Sequence, residues 1–285
     1  MSKMKSSKLL FLIVSTNLIL LSACNGGTTT SSEGTNVVSA DTQVKAQVSN
    51  NQNSAIKATT ETVEYAYAAD SSNGTAVINE YKVDVETGEL SKLANIIEIA
   101  GYNYIDSIVV MPNNKFAYAT AYRTSDHHSV IQAFIINSDG SLTKGKLIAS
   151  SNYYHSIGIT PNNKYLYLVT NNSVEEYNID PNTGNLTTLG NPFWVSIEGP
   201  HDIVVAGSKY AYVNKQYNGV GSLNSYIINS NTGALQSPIT YVNTLPNYAG
   251  LFSRSMALSP DQNFFYNVVD NLEVIGQYSI SDVET

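Results

Sequence analysis

From Val63 onward, apolar and polar positions alternate with period two in short runs closed by turn residues. That pattern predicts β-strands, and no segment carries the 3.6-residue period of an amphipathic helix. One phrase recurs: "VMPNNKFAYAT" from Val110, "ITPNNKYLYLV" from Ile159, "VVAGSKYAYVN" from Val204 and "LSPDQNFFYNV" from Leu258. A turn-less copy is Tyr65-Ala66-Tyr67. Pro-Asn-Asn or Pro-Asp-Gln makes the turn, because Pro presets φ and Asn tolerates the left-handed region. The aromatic-x-aromatic run that follows reads as a half-buried strand.

Each copy precedes a second alternating strand: "INEYKVD", "IQAFIIN", "VEEYNID", "LNSYIIN" and "IGQYSIS". Four of these lead to a tight turn with a glycine, at Gly88, Gly140, Gly184 and Gly233. The turn calls for positive φ, which glycine adopts freely. The glycines are 52, 44 and 49 residues apart. About four short strands per unit at that period predict an all-β fold, a β-propeller of four-stranded blades. A sandwich is the competing architecture, but it has no reason to repeat a phrase at regular spacing. Four repeats are full and a fifth stops at "YSISDVET". Either about five blades close with help from residues around Val44 to Ala58, or the chain is a C-terminally truncated form of a larger ring. The second is favoured, because an open arc leaves exposed edges.

Three domains are expected: residues 1–23, 24–60 and 61–285. Lys3, Lys5 and Lys8 precede an apolar run from Leu9 to Leu21, too short to span a bilayer comfortably. Residues 24–60 are rich in Ser, Thr, Asn and Gln and read as a solvated tether. Cys24 is the single cysteine, so no intramolecular disulfide can form. Beyond residue 23 the balance is 12 basic against 23 acidic residues. A chain this acidic has no basic patch with which to displace counterions, which argues against nucleic acid as a partner.

Leu21-Ser22-Ala23-Cys24 resembles the lipobox of bacterial lipoproteins. The resemblance implies that residues 1–23 are a signal peptide and that Cys24 is acylated and becomes the first residue of the mature chain. Asn25 is not the Asp of inner-membrane retention, so the expected location is the bacterial cell envelope, lipid-anchored at the outer membrane.

"PNNKYLYLVTNNSVEEYNIDPNTGNL" resembles the repeat of lactonase-type β-propellers, which include 6-phosphogluconolactonases, muconate-lactonising relatives and YVTN-repeat surface proteins. The likeness runs from about Val63 to Thr285 and implies seven blades in an intact ring. The repeat is structural, so it speaks to fold more than to activity.

In such a ring, the residue six before each turn proline is expected in the loop entering the innermost strand, at the mouth of the axial funnel. That rule selects Asp106, His155 and Arg254, and Pro200 with its neighbours His201 and Asp202. An acid, an imidazole and a guanidinium could act as base, proton shuttle and oxyanion clamp on a lactone. Tyr104, Tyr153 and Tyr154, with Asp106, are candidate binding residues, since Tyr-rich loops make adhesive surfaces. Against the family, "YYHS" has Tyr153 where the first His of a His-x-His stands, and only His155 is retained. "EGPHDIVV" has His201 at an Arg position and Asp202 at a His position. Asn214-Lys215 replaces an Asn-Glu pair. In the following blade, Arg254-Ser255 and "NVVD" depart from a family Glu before the strand and an Asn-Arg pair after it.

Arg123 and Arg254 are the only arginines, which disfavours a phosphorylated substrate. Asp126-His127-His128 reads as a solvated loop rather than a metal site, and no metal or cofactor is expected. Two functions follow. The favoured one is a lipid-anchored binding or scaffolding module for an envelope protein or glycan. The alternative is a metal-free lactonase with His155 as base and Arg254 polarising the carbonyl.

Overall fold

The computed structural model describes residues 22–24, 42–45, 59–71, 73–150, 152–195, 199–217, 220–243, 253–269 and 274–280. Most of the region read as signal peptide and tether lies outside them, as do the C-terminal residues 281–285. At the junction of the two N-terminal regions lies β1 (Ser22–Cys24), and in the tether β2 (Thr42–Lys45) pairs with β3 (Thr59–Thr62), which runs on into the propeller region.

The rest is a succession of antiparallel sheets, one per repeat. The first contains β4 (Glu64–Asp70), β5 (Val77–Val83) and β6 (Leu90–Glu98), with β1 beside β4. The second runs β7 (Tyr104–Val110), β8 (Phe116–Arg123), β9 (His128–Ile136) and β10 (Leu142–Ser150). The third contains β11 (Tyr154–Ile159), β12 (Tyr165–Thr170), β13 (Ser173–Ile179) and β14 (Leu186–Thr188), with β15 (Phe193–Trp194) also on β13. The fourth is β16 (Pro200–Ala206), β17 (Tyr210–Tyr217), β18 (Val220–Ile228) and β19 (Leu235–Asn243). The fifth shows β20 (Ser253–Leu258), β21 (Phe264–Val269) and β22 (Val274–Ser279). This is the five-blade propeller arrangement expected from the repeat.

The core sits between blades. Four apolar clusters each join two neighbours: Tyr67 and Ile78 with Ala119 and Phe134, Tyr118 with Leu166 and Tyr177, Tyr167 and Val174 with Val213 and Tyr226, and Tyr212 with Phe265. A blade buries its faces only against its neighbours, which is why the phrase recurs.

The phrase also clasps the next blade. The hydroxyls of Tyr67, Tyr118 and Tyr167 donate to the carbonyls of Gly140, Gly184 and Gly233 at 2.8, 2.7 and 2.7 Å. The preceding aromatic lies flat on the same glycine. A Cβ at Gly140 would fall 2.1 Å from the Tyr65 ring, and one at Gly233 would fall 2.3 Å from Tyr165. Those glycines are therefore required twice, by positive φ and by the ring against them.

Candidate functional site

Strand order defines the two faces. In each blade the innermost strand starts on the face that also carries the loop between the second and third strands. All four histidines of the chain stand at that face: His155 and His201 near the starts of β11 and β16, and His127 and His128 at the β8–β9 turn.

The candidate slot lies within the innermost strand, not in the loop before it as expected. Pairing slips by one residue between Ile105 and Ser107, Tyr154 and Ser156, Pro200 and Asp202, and Ser253 and Ser255. The residue left over at each slip is Asp106, His155, His201 or Arg254. A bulge frees its extra residue from the ladder and re-aims it, a device common beside functional sites. The register corrects the fourth blade: Pro200 is paired in the ladder, His201 fills the slot in its place, and Asp202 stands one layer below, in line with Ser107, Ser156 and Ser255. Arg254 has the matching strand position; its side chain lies outside the described residues.

Two of the slot residues, His155 and His201, stand in one row of rings, and a third, Asp106, joins that row through a tyrosine hydroxyl. Tyr153 meets His155 edge-on with centroids 4.7 Å apart, and His155 meets His201 at 5.2 Å. Tyr122 meets Tyr153 at 4.6 Å and reaches His127 through its hydroxyl. The Tyr153 hydroxyl donates to Asp106 Oδ1 at 2.8 Å. Tyr122 and Asn171 were not singled out from the sequence. The only available signal was position, since both stand where the second strand reaches this face.

His155 is half-buried, and its Nε2 lies 2.9 Å from Asn171 Oδ1. Burial and the neighbouring His201 bring its pKa down to about 4, against an opposing contribution from Asn171. The imidazole is therefore neutral at pH 7. With Nε2–H donated to Asn171, Nδ1 keeps its lone pair and has no hydrogen-bond partner among the described residues. Asp106 moves the opposite way. It is open to water on one side, yet the surrounding protein desolvates it and raises its pKa to about 6, with the Tyr153 hydroxyl pulling it back. Of the two, Asp106 is the group brought toward neutrality, where it can exchange a proton with a bound substrate, while His155 stays an uncharged acceptor.

Asp202 belongs to the interior. It is 5% exposed. Its carboxylate accepts from Ser156 Oγ, from the Ile203 N–H at 2.8 Å and from the Met256 N–H at 2.5 Å. Its own N–H donates to Asn214 Oδ1 at 2.7 Å. Tyr154 is also interior, with its hydroxyl 3.1 Å from Glu175 Oε2. Tyr104 is exposed at the rim, and Trp194 stands on the same face at 68% exposure.

The Asp126-His127-His128 turn does not converge. His127, at φ 60°, turns to Tyr122, whereas His128 Nδ1 lies 2.8 Å from Asp126. Arg123 grips Asp126 through two hydrogen bonds of 2.8 and 2.6 Å, which hold that carboxyl well below its usual range. Among the described residues, no three His, Cys, Asp or Glu side chains come together as a metal site. Three further Tyr-bearing stretches of the sequence, "SNYYHS", "KQYNGVG" and "LPNYAGLFS", are described only in part, since residues 151, 218–219 and 244–252 lie outside the described set.

Fold and site define a class: a propeller whose inner-strand bulges present ionisable side chains at one axial mouth. The chain belongs to the family "Lactonase, 7-bladed beta-propeller", which matches residues 60–206. Among solved structures, a "putative 6-phosphogluconolactonase" from Bacteroides uniformis superposes with a TM-score of 0.59 at 17% identity, over 75% of this chain and 67% of that one. A second, from Bacteroides fragilis and described in the same words, gives 0.60 at 20% identity over 77% and 65%. The periplasmic gluconolactonase PpgL of Pseudomonas aeruginosa gives 0.58 at 12% identity over 76% and 69%. The chain thus spans about two thirds of their length, and at these identities the likeness concerns the fold. No curated protein matches it in sequence.

Proposed function

We propose that this lactonase-family propeller is a hydrolase that opens a sugar lactone or a related lactone at the mouth formed by Asp106, Tyr153, His155 and His201. The observation that carries this reading is the state of His155, a neutral imidazole anchored through Nε2 with the Nδ1 lone pair uncommitted. Such a group can take a proton from water as the water attacks the lactone carbonyl. The ring C–O bond then breaks, and the alkoxide takes up a proton to give the hydroxy acid. Arg254, in the matching slot of the fifth blade, would polarise the carbonyl. Family membership favours this reading over a pure scaffold.

The test is hydrolysis by the full-length chain in detergent, across plain and phosphorylated sugar lactones, beside His155→Ala. Turnover that disappears in the variant supports the proposal. A folded wild-type protein with no turnover on any lactone refutes it.

A second reading, a binding module for an envelope protein or glycan, draws on the exposed Tyr104 and Trp194 on the same face. Either function is proposed to act at the bacterial envelope through a lipid on Cys24. Labelling with a palmitate analogue that persists in Cys24→Ser would exclude that anchor.

A further inference from the structure

The bulge at His155 re-aims the side chain, and a hydrogen-bond partner of the ring must then decide which nitrogen carries the proton. Asn171 does so by geometry. It sits in the two-residue link between β12 and β13, and its Oδ1 lies 2.9 Å from His155 Nε2. The link is itself braced. Thr170 Oγ1 accepts the Ser173 N–H at 3.1 Å and the Asn172 N–H at 3.4 Å, and shares a 2.8 Å bond with Ser173 Oγ. Thr170 and Ser173 are buried, which ties both ends of the link to the core. The corresponding turn in the second blade is longer, and there the ring at its base, Tyr122, is held by His127 instead.

We infer that Asn171 is a positioning residue that sets the tautomer of His155, holding the proton on Nε2 and leaving Nδ1 as the acceptor that meets a substrate or water. A carbonyl oxygen can only accept, so the facing nitrogen must carry hydrogen. An amide anchors the ring without adding charge, whereas a carboxylate there would favour imidazolium. The other groups around the ring are the His201 imidazole, the Tyr153 ring and, through the Tyr153 hydroxyl, Asp106. None of them holds His155 Nε2. This inference rests on the proposed hydrolase for its catalytic meaning but not for its test.

The experiment is NMR of the imidazole nitrogens and carbons in the full-length chain, with His155 assigned from His155→Ala, in wild type, Asn171→Ala and Asn171→Asp. Wild type is expected in the Nε2–H form. Asn171→Ala should yield a mixture of tautomers, and Asn171→Asp should raise the His155 midpoint by at least one pH unit, a tenfold change in proton affinity. Where lactone hydrolysis is measurable, the acidic limb of kcat/KM should move up with that midpoint. A wild-type Nδ1–H tautomer, or a midpoint unmoved in Asn171→Asp, overturns the inference. Absence of hydrolysis would sink the proposed activity and leave the tautomer result standing or falling by itself.

Discussion

The Asp202 carboxylate in β16 accepts the backbone N–H of Met256 in β20 at 2.5 Å, and so stitches the fourth blade to the fifth. On its other side it holds Ser156 of the third blade. Ser255 also donates to it, so the serines flanking it in the ring both turn toward one acid.

That acid makes stability depend on pH. Burial raises Asp202 to about 6, despite the donors around it, whereas an unfolded Asp titrates near ~4. Between those values the folded chain binds more protons than the unfolded one, so this contribution grows as pH falls from 6 to 4. Below pH 4 it is constant, and above 6 it is lost. Two pH units correspond to about 3 kcal/mol at most. Denaturant melts of wild type and Asp202→Asn at pH 7 and pH 4 check it. The wild-type advantage over the variant should widen at the lower pH, and a gap that stays the same or narrows would refute the assignment.

The glycine clasp predicts a contrast between two glycines of the same turn type. Gly184 and Gly88 both have positive φ, at 69° and 76°. A Cβ on Gly184 would stand 2.6 Å from the Phe116 ring, whereas one on Gly88 meets nothing within 4 Å. Both Gly→Ala variants bear the backbone strain of ~1 kcal/mol, but only Gly184→Ala must also displace a ring between blades, at ~1–3 kcal/mol more. Thermal melts should rank wild type above Gly88→Ala and Gly88→Ala above Gly184→Ala. Equal losses would mean the ring contact contributes nothing.

This clasp shows what was legible in the sequence. The Tyr-x-Tyr phrase and the glycine turns were readable as a propeller because every blade must present the same surfaces to its neighbours. The mouth was readable as a slot, since Asp106, His155 and Arg254 share one spacing. Three things were not. The bulge was hidden, because it falls one or two residues into each inner strand, too early for the break in alternation that an extra residue causes to be read. In the fourth blade spacing points to Pro200, one residue short of His201, because its turn is one residue shorter than the others. The partners of His155, Tyr153 and Tyr122 come from other strands and other blades, and only folded contacts reveal them.

Glu176 carries a prediction of the same kind. Its side chain is buried on β13, and Oε1 accepts the Leu235 N–H of the next blade at 2.6 Å. Burial raises its pKa, with that N–H opposing. Glu80 repeats the arrangement, accepting the Leu142 N–H at 2.7 Å. Glu176→Gln keeps an acceptor and removes an ionisable group, so it should be tolerated within about 1 kcal/mol. Glu176→Leu orphans a buried N–H at a cost of ~1–3 kcal/mol. Chemical denaturation distinguishes them, and a leucine variant as stable as the glutamine one would show that the bond is dispensable.

Tyr153 is the hinge of the proposed site, because it touches Asp106 with its hydroxyl and His155 with its ring. Tyr153→Phe separates those two contacts. The ring contact with His155 survives, while Asp106 loses the donor that favours its charged form. The Asp106 midpoint, about 6 in wild type, should therefore rise, and the His155 midpoint, about 4, should stay. Carboxyl and imidazole resonances followed through one pH titration give both numbers from one sample. In a hydrolase that needs Asp106 ionised, the acidic limb of activity would move up with the first midpoint; in one that uses the protonated acid, the alkaline limb would move up instead. A fall in the Asp106 midpoint, or a parallel shift of both groups, would mean that Tyr153 tunes the site through overall desolvation rather than through its hydroxyl.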